Sequence, residues 1–413
     1  MTTSAGNASF PGARTPGSQG WSWGRRGGLW VSVGVAAHTL WTSAAPALAY
    51  RLFATEWHLT HLQTTGIFAA YPLAVVATLG LLGGLSDQIG RRATMLLGVL
   101  ASLVGTLLFS VAPSVVWLCM ARGLMGIGVG LSAGPSTAAI LEFSGKDNAR
   151  AAASLTTAAQ AVGFSVALLS GGFLIQYGPE PMRLSFWLLA FLLVLLLGAI
   201  WFLPVDAATK AAALLRPTLP AVPRGTRKSF AVASLATMVA FTHGVMILSL
   251  GGETAHDLVG SPDSFVNGAV LSSFPIFLAL ATLLGRRLGV QISYPVGAVA
   301  SATGMLLLVV ATRLHELAVF LLASSISGVG YSLLFVTALG IINASAPAAN
   351  RGSVLSALYL VGYVMMSAFA LIMGAFATKA GFDCAINVGA FAVAAASLSI
   401  LVSIAFVRPP GGR

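Results

Sequence analysis

Apolar residues run along this chain in long blocks broken by short polar interruptions. Twelve blocks stand out, at about 29–50, 63–86, 92–112, 114–141, 150–175, 182–204, 229–252, 264–285, 291–312, 315–342, 352–378 and 384–407. Roughly 20 apolar residues in a helix cross the ~30 Å hydrocarbon core of a bilayer, so every block is long enough to span it. None shows the strict two-residue alternation of a half-buried strand. Backbone polar groups in lipid must also be satisfied internally, which segments of this length do as helices. The pattern predicts an all-α membrane protein with twelve transmembrane helices.

Composition agrees. Hydrophobic residues make up 57% of the 413 residues and charged ones 8%, against about a quarter charged in soluble domains. The mean hydropathy is +0.90. The net charge of +11 would suggest nucleic acid in a soluble protein, but its distribution argues otherwise. With both termini placed in the cytoplasm, 17 of the 22 Lys and Arg fall on the inner side, four on the outer side (Arg51, Arg183, Arg313, Lys379), and Arg122 lies within a span. The positive-inside rule fixes that orientation, and the basic balance becomes a topology signal with no nucleic-acid partner implied. The expected location is the inner (plasma) membrane of a bacterial-type cell, multi-pass, with both termini cytoplasmic.

The connections divide the chain. Residues 1–28, rich in Gly, Ser, Thr and Pro, read as a disordered cytoplasmic tail. Arg25 and Arg26 before an apolar run, with Ala47-Leu48-Ala49 after it, imitate a secretion signal, but a run of about 22 residues exceeds the usual 7–15 of such a signal, so it is taken as helix 1. The stretch 205–228 carries Pro217, Pro220 and Pro223 with five basic residues and reads as a cytoplasmic linker; 408–413 is a second tail. An internal repeat supports the division into bundles at 29–204 and 229–407. GVLASLVGTLL at 98–108 matches GAVASATGMLL at 297–307 at an offset of 199, and GIGVG at 126–130 faces GVGYS at 328–332 at an offset of 202. Arg150 faces Arg351 and Gly172 faces Gly374 at 201 and 202. Equal orientation of the two copies implies an axis along the membrane normal. Cys119 and Cys384, far apart and inside or at the edge of predicted helices, read as buried thiols packing as small apolar residues. No metal-ligand spacing is present, and no cofactor is expected.

The densest polar cluster of the first two hundred residues is GGLSDQIGRR at 83–92. Gly83 and Gly84 allow close helix packing, Gly90 allows a positive φ in the turn, and Asp87 is an anion able to meet a helix N-terminus. The stretch resembles the loop 2–3 signature of the major facilitator superfamily, Gly-x-Leu-x-Asp-x-x-Gly-Arg/Lys-Arg/Lys, supplied here by Gly83, Leu85, Asp87, Gly90, Arg91 and Arg92. Twelve spans, a basic central linker and a repeat near 200 residues extend the resemblance over almost the whole chain. It implies two six-helix bundles working by alternating access, with Asp87 facing the start of helix 11 after Arg351 and Gly352, and Arg91 paired with Glu142 at the end of helix 4. The loop would then latch the outward-facing form. Its second copy keeps Leu284 and Gly289 but sets Arg286 opposite Asp87, so the latch is one-sided.

Arg122, about 12 Å into helix 4 at 1.5 Å per residue, is expensive in hydrocarbon unless it faces water or a partner. Arg122-Gly123-Leu124-Met125-Gly126 resembles the family's helix 4 motif, in which the Arg is associated with proton coupling; a structural Arg bonded to carbonyls is the alternative. Its counterpart at offset 202 is Ser324. In helix 5, Gly163, Gly171 and Gly172 persist, but Ala167 and Leu168 stand where the family's antiporters carry Gly-Pro. His38 and His243, mid-helix, are the candidate proton carriers, with hydrogen-bonded core histidines as the alternative; Glu253 and Asp257 are a weaker pair than the solvated outer loop they form with Asp263. Depth selects His38, Trp41, Gln160, His243, Tyr331, Tyr359 and Tyr363 as cavity candidates, which suits a neutral or amphipathic substrate.

The expected protein is a monomeric secondary transporter whose partners are a small-molecule substrate, protons and the lipid bilayer, exporting small organic molecules in exchange for protons. An importer or facilitator of the same fold is the first rival. A membrane-embedded enzyme is a second, but neither a zinc-protease His-Glu-x-x-His nor a phosphate-cradling Gly-Lys-Ser/Thr loop occurs, so the chain is not expected to be an enzyme. A polytopic sensor would require an output domain.

Overall fold

The computed structural model describes residues 24–144, 149–204, 222–247, 258, 260, 263–285, 287–346 and 351–403. The described residues contain no strand. Long helices are α1 (Arg25–Ala44), α3 (His61–Leu82), α5 (Arg91–Ser110), α6 (Val115–Ser144), α7 (Ala149–Tyr177) and α8 (Leu184–Trp201), then α9 (Arg227–Val245), α10 (Ser264–Gly285), α11 (Val290–Leu314), α12 (Leu317–Ser345), α13 (Arg351–Ala380) and α14 (Phe382–Ser403). Two short α-helices, α2 (Ala49–Glu56) and α4 (Leu85–Ile89), and a 3-10 turn at Arg224–Thr226 complete the described set. Ten of the twelve long helices are long and apolar enough to cross a membrane. The other two, α1 and α9, open the two copies of the repeat, and their buried Ser, Thr and His residues lower their hydropathy. Large apolar side chains on the outside, such as Trp30, Phe191, Leu195 and Ile372, are exposed, as expected of surfaces that face lipid.

The first span differs from its predicted form. Arg25 to Gly28 belong to α1 rather than to a tail, and the helix stops at Ala44, because Pro46 cannot supply the N–H that the carbonyl of Thr42 needs. The chain turns through 45–48 and resumes as α2. The thiols also differ from expectation: Cys119 is half-buried and Cys384 exposed, so neither packs inside the core. The segments 1–23, 205–221 and 404–413, with Glu253 and Asp257, lie outside the described residues.

The repeat recurs as a repeated contact. A Cβ on Gly105 would lie 2.8 Å from the carbonyl of Ala121, and one on Gly304 would lie 3.0 Å from that of Ala323. These residues correspond at offsets of 199 and 202. Likewise Gly126 presses on the backbone of Tyr71 and Gly328 on that of Phe274. Glycine is required because helix backbones meet there directly. α5 packs on α6 and α3 on α6 in one bundle, α11 on α12 and α10 on α12 in the other.

The bundles meet along two seams, α3 with α13 and α7 with α10. On the first seam Thr65 fills the space a Cβ on Gly374 would take, and Tyr71 stands edge-on to Tyr363 at 6.3 Å. The backbone N–H of Leu62 also donates to Thr378 Oγ1 at 3.1 Å. On the second, Gly172 lies against Ser264 and Phe265, Gly268 against the carbonyl of Leu168, and Phe164 against Phe274 at 6.0 Å. Gln176 Oε1 accepts from the Ser264 N–H at 2.9 Å.

Candidate functional site

The loop at 83–92 is compact. Gly83 caps α3, and a Cβ there would sit 3.6 Å from that of Ser356 on α13, so the loop touches the second bundle at the start of α13. Gly90 has φ 88° and ψ 156°, a conformation that L side chains rarely adopt, and this turns the chain sharply from α4 into α5. That turn puts Arg91 at the first position of α5, where its Nη1 donates to Oε2 of Glu142 in the last turn of α6. Arg92 lies over the ring of Trp201 at the end of α8, 5.3 Å from its centroid, a cation–π contact. α1 joins the same end, where Arg25 Nε donates to the carbonyl of Phe143 at 2.8 Å. The side chains of Asp87, Arg150 and Arg351 lie outside those described.

In the second bundle the corresponding region is open. Val290 stands at the place of Arg91 (offset 199) and Ala344 at that of Glu142 (offset 202). Both line a cavity of about 240 Å³ between α10, α11 and α12, beside Thr282, Ser293, Ser332, Thr337 and Asn343. The hydroxyls of Thr282 and Ser332 bond each other at 2.7 Å, and Thr337 donates to Ser293 at 3.0 Å. Where the first bundle has its ion pair, the second has a cavity whose hydroxyls are bonded to one another.

Arg122 is fully buried in α6. Its Nη1 reaches the carbonyls of Thr42 and Ser43 at 3.3 and 3.4 Å. Both carbonyls are freed by the break in α1: the partner of Thr42 is Pro46, and Ala47 N–H turns instead to Ala44. The guanidinium lies over the face of Tyr71, 4.5 Å from the centroid, and 6.0 Å from that of Phe68. Among the described residues its Nε and Nη2 have no hydrogen-bond partner, and no Asp or Glu forms an ion pair with it.

Beyond Tyr71, an aromatic cluster spans the bundle interface. Tyr71 meets Tyr363, which stands edge-on to Phe241 at 5.0 Å; Phe241 lies parallel to Tyr331 at 6.4 Å and 6.5 Å from Tyr359. Phe274 and Phe335 each lie 5.8 Å from Tyr331. Tyr359 of α13 directs its hydroxyl toward Gln160 of α7 and Thr137 of α6, outside hydrogen-bond geometry. Gln160 Nε2 donates to Thr39 Oγ1 at 3.4 Å, and half-buried Trp41 packs on the core edge.

The sequence profile of the Major Facilitator Superfamily matches residues 30–370. The chain belongs to the major facilitator superfamily. Members of this superfamily are multi-pass membrane transporters of small molecules, and the membrane-enzyme reading falls away. The fold is similar to that of the human organic anion transporter MFSD10, with a TM-score of 0.66 at 17% identity over 91% of this chain and 99% of that one. A 75-residue stretch is 33% identical to the synaptic vesicle 2-related protein of Xenopus laevis; it spans 18% of this chain and 14% of that relative's length.

Within this superfamily fold, the sequence candidates separate into three places. Arg91, Glu142 and Gly90 converge at the loop end. Gln160, Tyr331, Tyr359 and Tyr363 converge between the bundles. His38 and His243 are held inside their own bundles instead. His38 Nδ1 donates to the Val35 carbonyl at 2.5 Å and Nε2 faces Ser102 Oγ at 3.4 Å. His243 Nδ1 donates to the Val239 carbonyl at 2.9 Å, Nε2 faces Ser301 Oγ at 3.2 Å, and Ser301 meets Ser397 Oγ at 2.6 Å. Ser102 and Ser301 are repeat counterparts at offset 199, so each bundle carries one His–Ser pair between its first and third long helices. Asp263 caps α10, accepting from the N–H groups of Phe265 and Val266 at 2.8 and 3.1 Å.

Sequence reasoning missed Tyr50, Tyr71 and Phe241. Tyr50 directs its hydroxyl at the guanidinium of Arg122 without hydrogen-bond geometry. The available signal was Pro46, whose interruption of the first span frees the carbonyls that Arg122 caps.

Proposed function

We propose that this protein is an alternating-access secondary transporter that exports a small organic molecule in exchange for protons, from an inner membrane with both termini cytoplasmic. The moving bodies are 29–204 and 229–407, joined by the linker 205–228. The observation that carries the reading is the loop-end junction. There a solvent-accessible ion pair, Arg91–Glu142, braces α5 against α6 beside the Gly83–Ser356 contact between bundles. Exposed pairs are worth about 0–1 kcal/mol, so the pair serves to position the loop against the second bundle, and the Gly83–Ser356 contact is the one that separates as the bundles move. The loop end is assigned to the cytoplasm by the excess of Lys and Arg on that side.

An arginine stays charged at all working pH values, so Arg122 cannot itself carry the coupled proton and acts through its field. The proton is assigned to His38 and His243, whose Nδ1 atoms donate to backbone carbonyls and whose Nε2 atoms, each bonded to a serine hydroxyl, would take the proton as that hydroxyl turns away. A second reading, a facilitator or symporter of the same fold, is favoured by Ala167 and Leu168 at the Gly-Pro positions of helix 5. Purified protein in proteoliposomes with an imposed pH gradient separates the readings. Substrate-dependent proton movement opposite to substrate supports exchange, movement in the same direction supports symport, and substrate flux with no proton movement supports a facilitator.

A further inference from the structure

The geometry points to a binding site for a carboxylate group at Arg122. The inference rests on the transport reading for its purpose but not for its chemistry. A guanidinium has five N–H donors in a planar fork. Here Nη1 is spent on the carbonyls of Thr42 and Ser43. The unpartnered atoms are Nε and Nη2, which together form the side-on edge that receives a carboxylate through two parallel hydrogen bonds. The residue is 0% exposed, and a buried charge with unmet donors is strongly unfavourable unless a partner arrives.

The surroundings are donors as well. Among the described residues the hydroxyls of Tyr50, Tyr71 and Thr42 are buried without a partner, and the oxygen of Tyr50 lies beside the guanidinium, which can only donate, so its own O–H is left to donate to an anion. No described acid pairs with the arginine. A structural arginine would have its donors satisfied by the protein; this one is satisfied on the Nη1 side alone. A buried set of donors with a permanent positive charge fits an anion, and the fork geometry selects a planar carboxylate over a spherical ion. The face of Tyr71 carries the guanidinium on one side, and the ring continues at 6.3 Å into Tyr363 and the cross-bundle aromatic cluster. The ligand class is accordingly a small organic acid with an apolar, preferably aromatic, body.

The test is binding to the full chain in detergent, with no gradient present, followed by thermal unfolding against benzoate and octanoate and their neutral amides, benzamide and octanamide. Ligands that bind the folded state raise its stability. The expected result is a concentration-dependent rise in Tm with the carboxylates alone, strongest for benzoate and absent in Arg122→Gln. Tyr50→Phe and Thr42→Val, which keep the fold's volume, should weaken benzoate binding by about tenfold, the loss of one hydrogen bond to a charged group. If Arg122→Gln does not fold, those two variants decide. Equal stabilisation by acid and amide, no response to either acid, or unchanged binding in Tyr50→Phe and Thr42→Val would overturn the site. Proteoliposomes that move protons with a neutral substrate while benzoate fails to bind would refute the carboxylate site and leave the transport reading standing. Binding of benzoate without any flux would do the reverse.

Discussion

Arg91, at the first position of α5, is ion-paired with Glu142 in the last turn of α6, and the glycine immediately before it makes the pairing possible. Gly90, at φ 88°, turns the chain so that α5 starts beside the end of α6. The side chains are 36% and 59% exposed, so the pair adds little to stability. Glu142→Arg should lower Tm by no more than a few degrees yet reduce transport at least tenfold. Arg91→Glu combined with Glu142→Arg should recover a substantial part of that loss. Flux in proteoliposomes, with Tm measured on the same preparations, checks both.

Gly90→Ala places a Cβ at φ 88° and ψ 156°, a region open essentially to glycine alone, a strain of about 1–3 kcal/mol. Unfolding in detergent should register it as a clear drop in Tm. Gly123→Ala, on α6 with open space around the missing Cβ, should be neutral.

The far end of the α3–α13 seam holds Leu62 against Thr378 and His61 stacked on Phe382 at 5.4 Å. A disulfide between Leu62→Cys and Thr378→Cys, in a background with Cys119 and Cys384 replaced by serine, should stop transport, and reduction should restore it. Continued transport in the fully cross-linked protein would show that this end does not open.

Each bundle's His–Ser pair predicts a pH signature. His38→Asn and His243→Asn should flatten the pH dependence of transport if these rings carry the proton. Ser301→Ala should cost about 1–3 kcal/mol by leaving buried partners unmet, and it should shift the pH profile of transport as well. Lost stability with an unchanged profile in all three variants would reduce the histidines to packing elements.

Ten of the spans were legible because in lipid length and apolarity suffice, as α8 shows with its unbroken LLAFLLVLLLGAIW, while α1 and α9, with their buried Ser, Thr and His, fall outside that rule. The repeat was legible because helix-on-helix contacts require glycine, so Gly105 and Gly304 survive at the same offset in both bundles. The loop pair Arg91–Glu142 was legible through a motif and one acid at the right helix end. The Arg122 environment was not, since it depends on how Pro46 breaks α1 and on which two carbonyls the break frees, a three-dimensional consequence of one residue. The histidines' inward placement was equally hidden. A helical residue's depth can be read from its position, but the neighbour it faces depends on packing, and here the neighbours are Ser102 and Ser301.

The central claim is that the two bundles rock about their seams. Spin labels at Ile89 and Leu284, both exposed near the loop end, and at Val111 and Leu314, both exposed at the far end, report that motion as distances in lipid nanodiscs across pH and substrate. The account predicts reciprocal change, with one distance shortening as the other lengthens. Distances that stay fixed at both ends, or move in the same sense, would contradict it.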